Sequence, residues 1–92
     1  MKVIFKGSFD RDLDKIRNKE LHKALDDKIS QILKAQSITH ITGLKKLKGY
    51  SHHYRIIVKT STLTFRIGAI IREASIWMVR FLPRKSVYKR FP

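Results

Sequence analysis

Arginines and a tyrosine are the residues of this sequence whose types and positions could do chemistry. Arg55, Arg66 and Arg80 lie on three segments with strand-like periodicity, and Arg84 and Tyr88 follow them four residues apart. A guanidinium binds a phosphate through two parallel hydrogen bonds, and a tyrosine can donate a proton or stack on a base. These side chains therefore suit a phosphodiester better than a carbonyl compound or a sugar.

The histidines do not predict a metal site. His22, His40, His52 and His53 show no paired-ligand spacing, and few carboxylates lie near them. The chain has no cysteine, which excludes a thiolate nucleophile and a zinc-thiolate site, and it has no glycine-rich phosphate loop. We expect no metal and no cofactor. Neighbouring residues of a strand point to opposite sides, so of the adjacent pair we select His53 as a candidate ligand contact.

Positive charge is concentrated in the later two-thirds of the chain. The 92 residues carry a formal net charge of +14; residues 1–27 hold seven basic and six acidic side chains, and residues 28–92 hold fourteen and one. Such self-repulsion opposes folding unless a counter-charge is nearby, whereas a surface charged for solubility mixes both signs. The distribution predicts a polyanionic ligand, an acidic partner, or both.

Length and composition predict one folded domain over residues 1–92. A chain of this length holds one hydrophobic core, and its 42% hydrophobic content is enough to form it. The longest apolar runs fall far short of the ~20 residues that a membrane span needs, and the absence of cysteine gives no sign of an oxidising compartment. We expect a cytoplasmic protein without a membrane association.

The first third of the chain predicts a strand and two helices. Residues 2–6 form a short β-rich run, and Ser8 can cap a short helix that is broken near Asn18. Asn18 can cap a second helix, whose apolar side chains recur at three- and four-residue steps as far as Leu33.

The rest of the chain predicts antiparallel strands. We expect a short basic edge strand at 44–48, a hairpin of strands at 53–59 and 63–70, and an interior strand at 76–82. The fold class is then α+β, with a sheet of three or four antiparallel strands after the helices and with the helices on one sheet face. If Trp77, Val79 and Phe81 face the helices, Arg80 shares the open, basic face with Arg55 and Arg66.

Three runs of the sequence carry a resemblance: LKKLKGYSHHYRI at 44–56, FRIG at 65–68 and VRFLPRKSVYKRFP at 79–92. In order and spacing they resemble the RelE/ParE superfamily of toxins from bacterial type II toxin-antitoxin modules. The similarity covers essentially the whole chain, including the opening strand and the helical hairpin. It implies a RelE-like fold whose basic sheet face holds mRNA, usually in the ribosomal A site, where the 2′-hydroxyl attacks the adjacent phosphate.

The resemblance also implies roles for individual residues and a partner. Arg55, Arg66, Arg84 and Tyr88 match the family's catalytic positions, where the arginines would stabilise phosphate. We assign RNA binding to further residues of the basic face and its borders: Lys45, Lys46, Lys48, His53, Lys59, Arg80 and Lys85. The expected partner is a cognate antitoxin whose acidic segment covers the basic face in a hetero-oligomer.

Two departures from the family pattern keep alternatives open. Pro83 stands where many relatives have a histidine proposed as acid or base, and Phe65 stands where tyrosine is common. The general acid and base are therefore not identified by the sequence. The alternatives to an mRNA endonuclease are a ParE-like inhibitor of DNA gyrase and a catalytically inactive, nucleic-acid-binding family member; the number of sheet-face arginines favours RNA.

Overall fold

Five strands and three helices make up the regular structure of the chain, in a computed structural model that describes all residues from 1 to 92. In chain order they are β1 Lys2–Phe5, α1 Gly7–Asp14, α2 Lys19–Lys34, β2 Leu44–Lys46, β3 His53–Lys59, β4 Thr64–Arg72, β5 Ser75–Pro83 and α3 Arg84–Arg90, with a single 3₁₀ turn at Ile38–His40 before β2. The predicted α+β class is confirmed.

The five strands form one sheet in the order β1-β5-β4-β3-β2. Strands β2 to β5 are antiparallel neighbours, as the sequence predicted. The first strand adds a fifth member that was not predicted: β1 pairs in parallel with β5, so that Val3 lies opposite Ile76. The first and the last strand of the chain are therefore neighbours at one side of the sheet.

Helices α1 and α2 begin in different ways. The side chain of Asn18 accepts a hydrogen bond from the Leu21 amide at 2.9 Å, which confirms the predicted cap of α2. Ser8 does not cap α1. The helix begins at Gly7, and Lys6 occupies the cap position. The Ser8 hydroxyl instead donates to the backbone carbonyl of Val79 on β5, which ties the first turn of α1 to the sheet.

The hydrophobic core lies between α1, α2 and one face of the sheet, so the prediction of both helices on one face is confirmed. Side chains from the helices and from the alternate positions of β3, β4 and β5 form a single buried cluster. Its largest fully buried members are Phe9, Phe81, Leu21, Leu25, Ile32, Ile56, Ile67, Ile76, Met78 and Val58.

A bulge in β5 changes which of its residues face this core. Gly68 pairs with Arg80 and Ala69 pairs with Met78, so Val79 is an extra residue on β5. Met78 and Phe81 are both buried, whereas Val79 is only partly buried. The expectation that Trp77 and Val79 face the helices was wrong, because strict alternation does not extend across a bulge.

Helix α3 covers the middle of the opposite sheet face, which is therefore not fully open. Val87 and Phe91 are buried there, and the Phe91 ring lies directly over Gly68. A Cβ atom on residue 68 would come within 2.6 Å of the ring carbon Cγ, so only glycine leaves room for this ring. A glycine inside a strand weakens that strand, but here it allows the Phe91 ring to pack directly against the backbone of β4.

Candidate functional site

One cleft of about 350 Å³ on the α3 side of the sheet contains all four side chains predicted to be catalytic, Arg55, Arg66, Arg84 and Tyr88. Its remaining lining residues come from β3 and from the region around the short edge strand β2: Gly43, Leu44, Lys45 and Ile57. The sequence thus selected residues that the fold brings together, although they come from three separate elements.

The strand register places the first two arginines. Arg55 on β3 lies opposite Gly68, and Ile57 lies opposite Arg66 on β4. Arg55 and Arg66 therefore share a sheet face and are offset by two residues along the strands. The missing side chain at Gly68 leaves space beside Arg55, and the ring of Phe91, directly after α3, occupies that space.

Helix α3 supplies the other two side chains. It starts at Arg84 directly after β5, and Tyr88 follows one turn later on the same side of the helix. The Arg55 guanidinium carbon lies 4.4 Å from the centre of the Tyr88 ring, and that of Arg84 lies 5.9 Å from it. Both distances are in the range of a cation–π contact, so the ring is held between two cations.

The two guanidinium groups change the acidity of the phenol. Polar contact of the phenol with the Arg55 guanidinium, and then with that of Arg84, favours the charged form and lowers the pKa of Tyr88 from 10.0 to about 8. Their positive charges act in the same direction. At pH 7 roughly a tenth of Tyr88 is therefore tyrosinate, against about a thousandth for an ordinary tyrosine.

Several guanidinium nitrogens of the cleft have no hydrogen-bond partner within the protein. Atoms Nε and Nη1 of Arg55 and Nη1 of Arg66 are buried and have no hydrogen-bond partner, and neither residue forms an ion pair. Burial, together with the like charges of Arg84 and Arg55, lowers the pKa of Arg66, although a guanidinium stays charged at physiological pH. The positive charge of both arginines is thus not neutralised by a carboxylate of this chain, and an anion in the cleft would compensate it.

Arg80 lies outside this cluster, contrary to the prediction. Its Nε and Nη2 atoms donate to the two carboxylate oxygens of Asp12 on α1, at 2.8 and 3.0 Å. Strand β1 pairs with β5 only as far as Met78. Beyond this point β5 has no strand on that side, and the Phe81 amide donates a hydrogen bond to the Asp12 carboxylate instead. The Arg80 guanidinium therefore pairs with a buried carboxylate of its own chain. Arg80 does not line the cleft.

The Asp12 pair is a structural ion pair. Burial alone would raise the pKa of Asp12, but hydrogen bonds from Arg80 and the Phe81 amide, with the Arg80 charge, outweigh burial and lower it. The same carboxylate raises the pKa of Arg80. Asp12 therefore fixes α1 to β5 at the bulge.

The other predicted contact residues lie around the cleft rather than in it. Of these only Lys45 lines it; Lys46, Lys48 and Lys85 are exposed nearby on β2, on the turn after it and on α3. Lys59 lies at the far end of β3 beside a different cleft, formed with α2. His53 contacts aromatic rings, at 5.0 Å from Tyr50 and 5.5 Å from Phe91 between ring centres.

Sequence reasoning did not select Gly68, Phe91 or Tyr50 as parts of this region. A signal existed for Gly68, because a glycine inside the apolar run of β4 often marks a close approach by another group. No local pattern indicated which group approaches it, since Phe91 is 23 positions further along the chain.

The cleft can bind and polarise a phosphodiester through its own side chains. Three guanidinium groups offer hydrogen bonds and charge to phosphate oxygens, and the Tyr88 oxygen can take up or release a proton near neutral pH. The structure contains no group of three or more histidine, cysteine, aspartate or glutamate side chains that could hold a metal ion. No helix is both long and apolar enough to cross a membrane.

Comparisons with known proteins agree with the fold. No protein-family model matches the chain. Toxin RelE3 of Methanocaldococcus jannaschii is 33% identical to it over 93 residues, which cover the full length of both chains. The crystal structure of a RelB-RelE antitoxin-toxin complex from Methanococcus jannaschii contains a chain that superposes with a TM-score of 0.74 at 28% identity, covering 97% of this chain and 99% of that one.

Proposed function

Because the chain belongs to the RelE family of toxins from type II toxin-antitoxin systems, we propose that it is an endoribonuclease that cleaves mRNA in the ribosomal A site. The observation that carries this proposal is the convergence of Arg55, Arg66 and Arg84, free of carboxylates, around the phenol of Tyr88. A site of this composition suits the charge that develops on a phosphodiester during cleavage.

Arg55 and Arg66, which line the cleft from neighbouring strands, hold the phosphate that is cut. Arg84, at the exposed start of α3, stabilises the charge that develops on the phosphate oxygens. Tyr88 in its tyrosinate form accepts the proton of the 2′-hydroxyl. The 2′-oxygen then bonds to phosphorus, the bond from phosphorus to the 5′-oxygen breaks, and the leaving oxygen takes a proton from water.

Pro83 replaces the family histidine that is proposed as acid or base. The lowered pKa of Tyr88 supports Tyr88 as the general base in its absence. Pro83 carries no titratable group, so it can be neither acid nor base. A base works best when its pKa lies near the working pH, and Tyr88, at about 8, meets this condition.

The proposed partners are mRNA on the ribosome and a cognate antitoxin, which places the protein in the cytoplasm. The solved relative is part of an antitoxin-toxin complex. For this chain, a formal charge of +14 favours an antitoxin with an acidic segment that covers the cleft and keeps RNA out. The toxin is then stored as a hetero-oligomer.

The test is cleavage of mRNA in a translating extract. The wild-type protein should cut mRNA at ribosome-occupied codons, Arg66→Ala should abolish the cuts, and Tyr88→Phe should weaken them. Arg72→Ala is the matched control, because Arg72 lies on the same strand but is exposed outside the cleft. Intact mRNA with a folded wild-type protein would refute the proposal. Inhibition of gyrase supercoiling without RNA would then support the ParE-like alternative, and RNA binding without cleavage would support an inactive family member.

A further inference from the structure

Three aromatic rings form a ladder beside the arginine cleft. The ring of Tyr50 lies 5.0 Å from that of His53, and His53 lies 5.5 Å from Phe91. Phe91, at the inner end, is buried over Gly68, whereas Tyr50, at the outer end, is 46% exposed. The ladder thus extends from a buried ring, Phe91, to a ring that is partly exposed to solvent, Tyr50.

The backbone holds the outer ring in place. Tyr50 ends a tight turn in which its amide donates to the carbonyl of Leu47, and Gly49 within that turn has a φ of 86°, which glycine adopts without strain. The Leu47 amide donates in turn to the carbonyl of His53, which closes the hairpin between β2 and β3. The position of Tyr50 is therefore set before any ligand arrives, and little conformational entropy is lost on binding.

The ladder stands one step away from the proposed phosphate site. His53 and Arg55 are on the same face of β3, two residues apart, which is about 7 Å along a strand. Lys46 and Lys48 on the neighbouring segment are exposed and form no ion pair. An RNA strand with one phosphate on Arg55 would bring an adjoining nucleotide to these rings.

We propose that Tyr50, supported from behind by His53, is a stacking subsite for the nucleobase of a nucleotide adjacent to the cleaved phosphate. The proposal deepens the proposed function and rests on it. A contact made through the face of a ring accepts every base, because every base has a π-face. The subsite therefore increases affinity and sets the path of the strand, and it favours purines through their larger ring area.

Packing within the protein accounts for only part of the Tyr50 side chain. Tyr54, at the start of β3, packs against the hydrophobic core. Tyr50 does not belong to the core cluster, and nearly half of its surface is in water. An exposed aromatic ring among unpaired lysines and arginines is the arrangement that binds single-stranded nucleic acid.

The test compares an RNA with the same backbone lacking its bases. The probe is a fluorescein-labelled five-nucleotide RNA with 2′-O-methyl groups, which cannot be cleaved, and binding is followed by anisotropy at 150 mM salt to weaken nonspecific phosphate contacts. Tyr50→Ala should weaken binding of this RNA about 5- to 150-fold, as expected for loss of one stacked base. The same variant should bind the abasic backbone as the wild type does, and Tyr50→Phe should bind both probes normally.

Equal binding of the RNA by wild type and Tyr50→Ala would overturn the subsite, as would an equal loss for both probes or the absence of RNA binding by the wild type. Circular dichroism of Tyr50→Ala checks that the hairpin still folds. The outcome is separable from that of the proposed function, because the cleavage assay depends on Arg66. Normal cleavage with no effect of Tyr50→Ala removes only the subsite, and failure of cleavage by the wild type removes the nuclease.

Discussion

Replacing Gly68 by alanine should detach α3, with Arg84 and Tyr88, from the sheet without changing any side chain of the cleft. The new Cβ would lie 2.6 Å from Cγ of Phe91 and 2.8 Å from both Cδ atoms, so the ring has to move. Adding a methyl group to a filled site of this kind costs about 1–3 kcal/mol. A seven-residue helix has little stability of its own, so the least costly response is for Phe91 and α3 to leave the sheet together.

Tyr88 reports this movement directly. Once the helix leaves Arg55, the main cause of the lowered pKa is lost, and the pKa of Tyr88 should rise from about 8 toward its ordinary value of 10.0. The measurement is a pH titration of ¹³C-labelled tyrosine rings by NMR, with Tyr88→Phe used to assign the signal among the three tyrosines. Urea unfolding should show a loss of about 1–3 kcal/mol in the free energy of unfolding.

Gly7→Ala is the matched control, because a Cβ at Gly7 would meet only Arg11 at the ordinary distance of 3.4 Å. It should leave the pKa of Tyr88 unchanged. If Tyr88 in the Gly68→Ala protein still titrates near 8, the seating of Phe91 on Gly68 is not what positions α3, and this reasoning is refuted.

Three further predictions concern the ion pair, the phenol and the arginines. Asp12→Asn should lower the free energy of unfolding at pH 7 by about 1.5–3 kcal/mol in urea melts, through the weakened bonds to Arg80. Because the folded-state pKa of Asp12 lies below 3.8, this contribution is complete above about pH 4 and is lost as the pH falls below it, so wild type and variant should converge in acid; a constant gap would contradict the assignment. The cleavage rate should rise with pH and level off above about 8 in the wild type, and Tyr88→Phe should remove this rise; an unchanged profile would exclude Tyr88 as the base. Affinity for RNA should fall steeply with salt, and Arg55→Gln should reduce the slope of log K against log salt by about one; an unaltered slope would show that Arg55 does not contact phosphate.

Local periodicity was sufficient to place two of the cleft arginines on one sheet face and to find the start of α2, but not to predict what surrounds them. Alternation along β3 and β4 placed Arg55 and Arg66 on one face, because both strands are regular across the cleft. Asn18 marked the start of α2 because a cap depends only on the next three residues.

The errors arose where distant parts of the chain meet. The bulge at Val79 and the engagement of Arg80 by Asp12 depend on α1, which lies almost 70 residues earlier. The pairing of β1 with β5 is equally remote. No window of sequence contains both partners of these contacts, so alternation was extended through β5 when the structure required a break.

The pairing of β1 with β5 also determines how late during synthesis the sheet of the toxin can be completed. Strand β1 pairs with a strand that lies more than 70 residues further along the chain, and contacts of such sequence separation form slowly. Arg84 and Tyr88 emerge later still. A product of interrupted translation that ends before β5 has neither the complete sheet nor the cleft, so the arginines and Tyr88 come together only after the chain has been synthesised through α3.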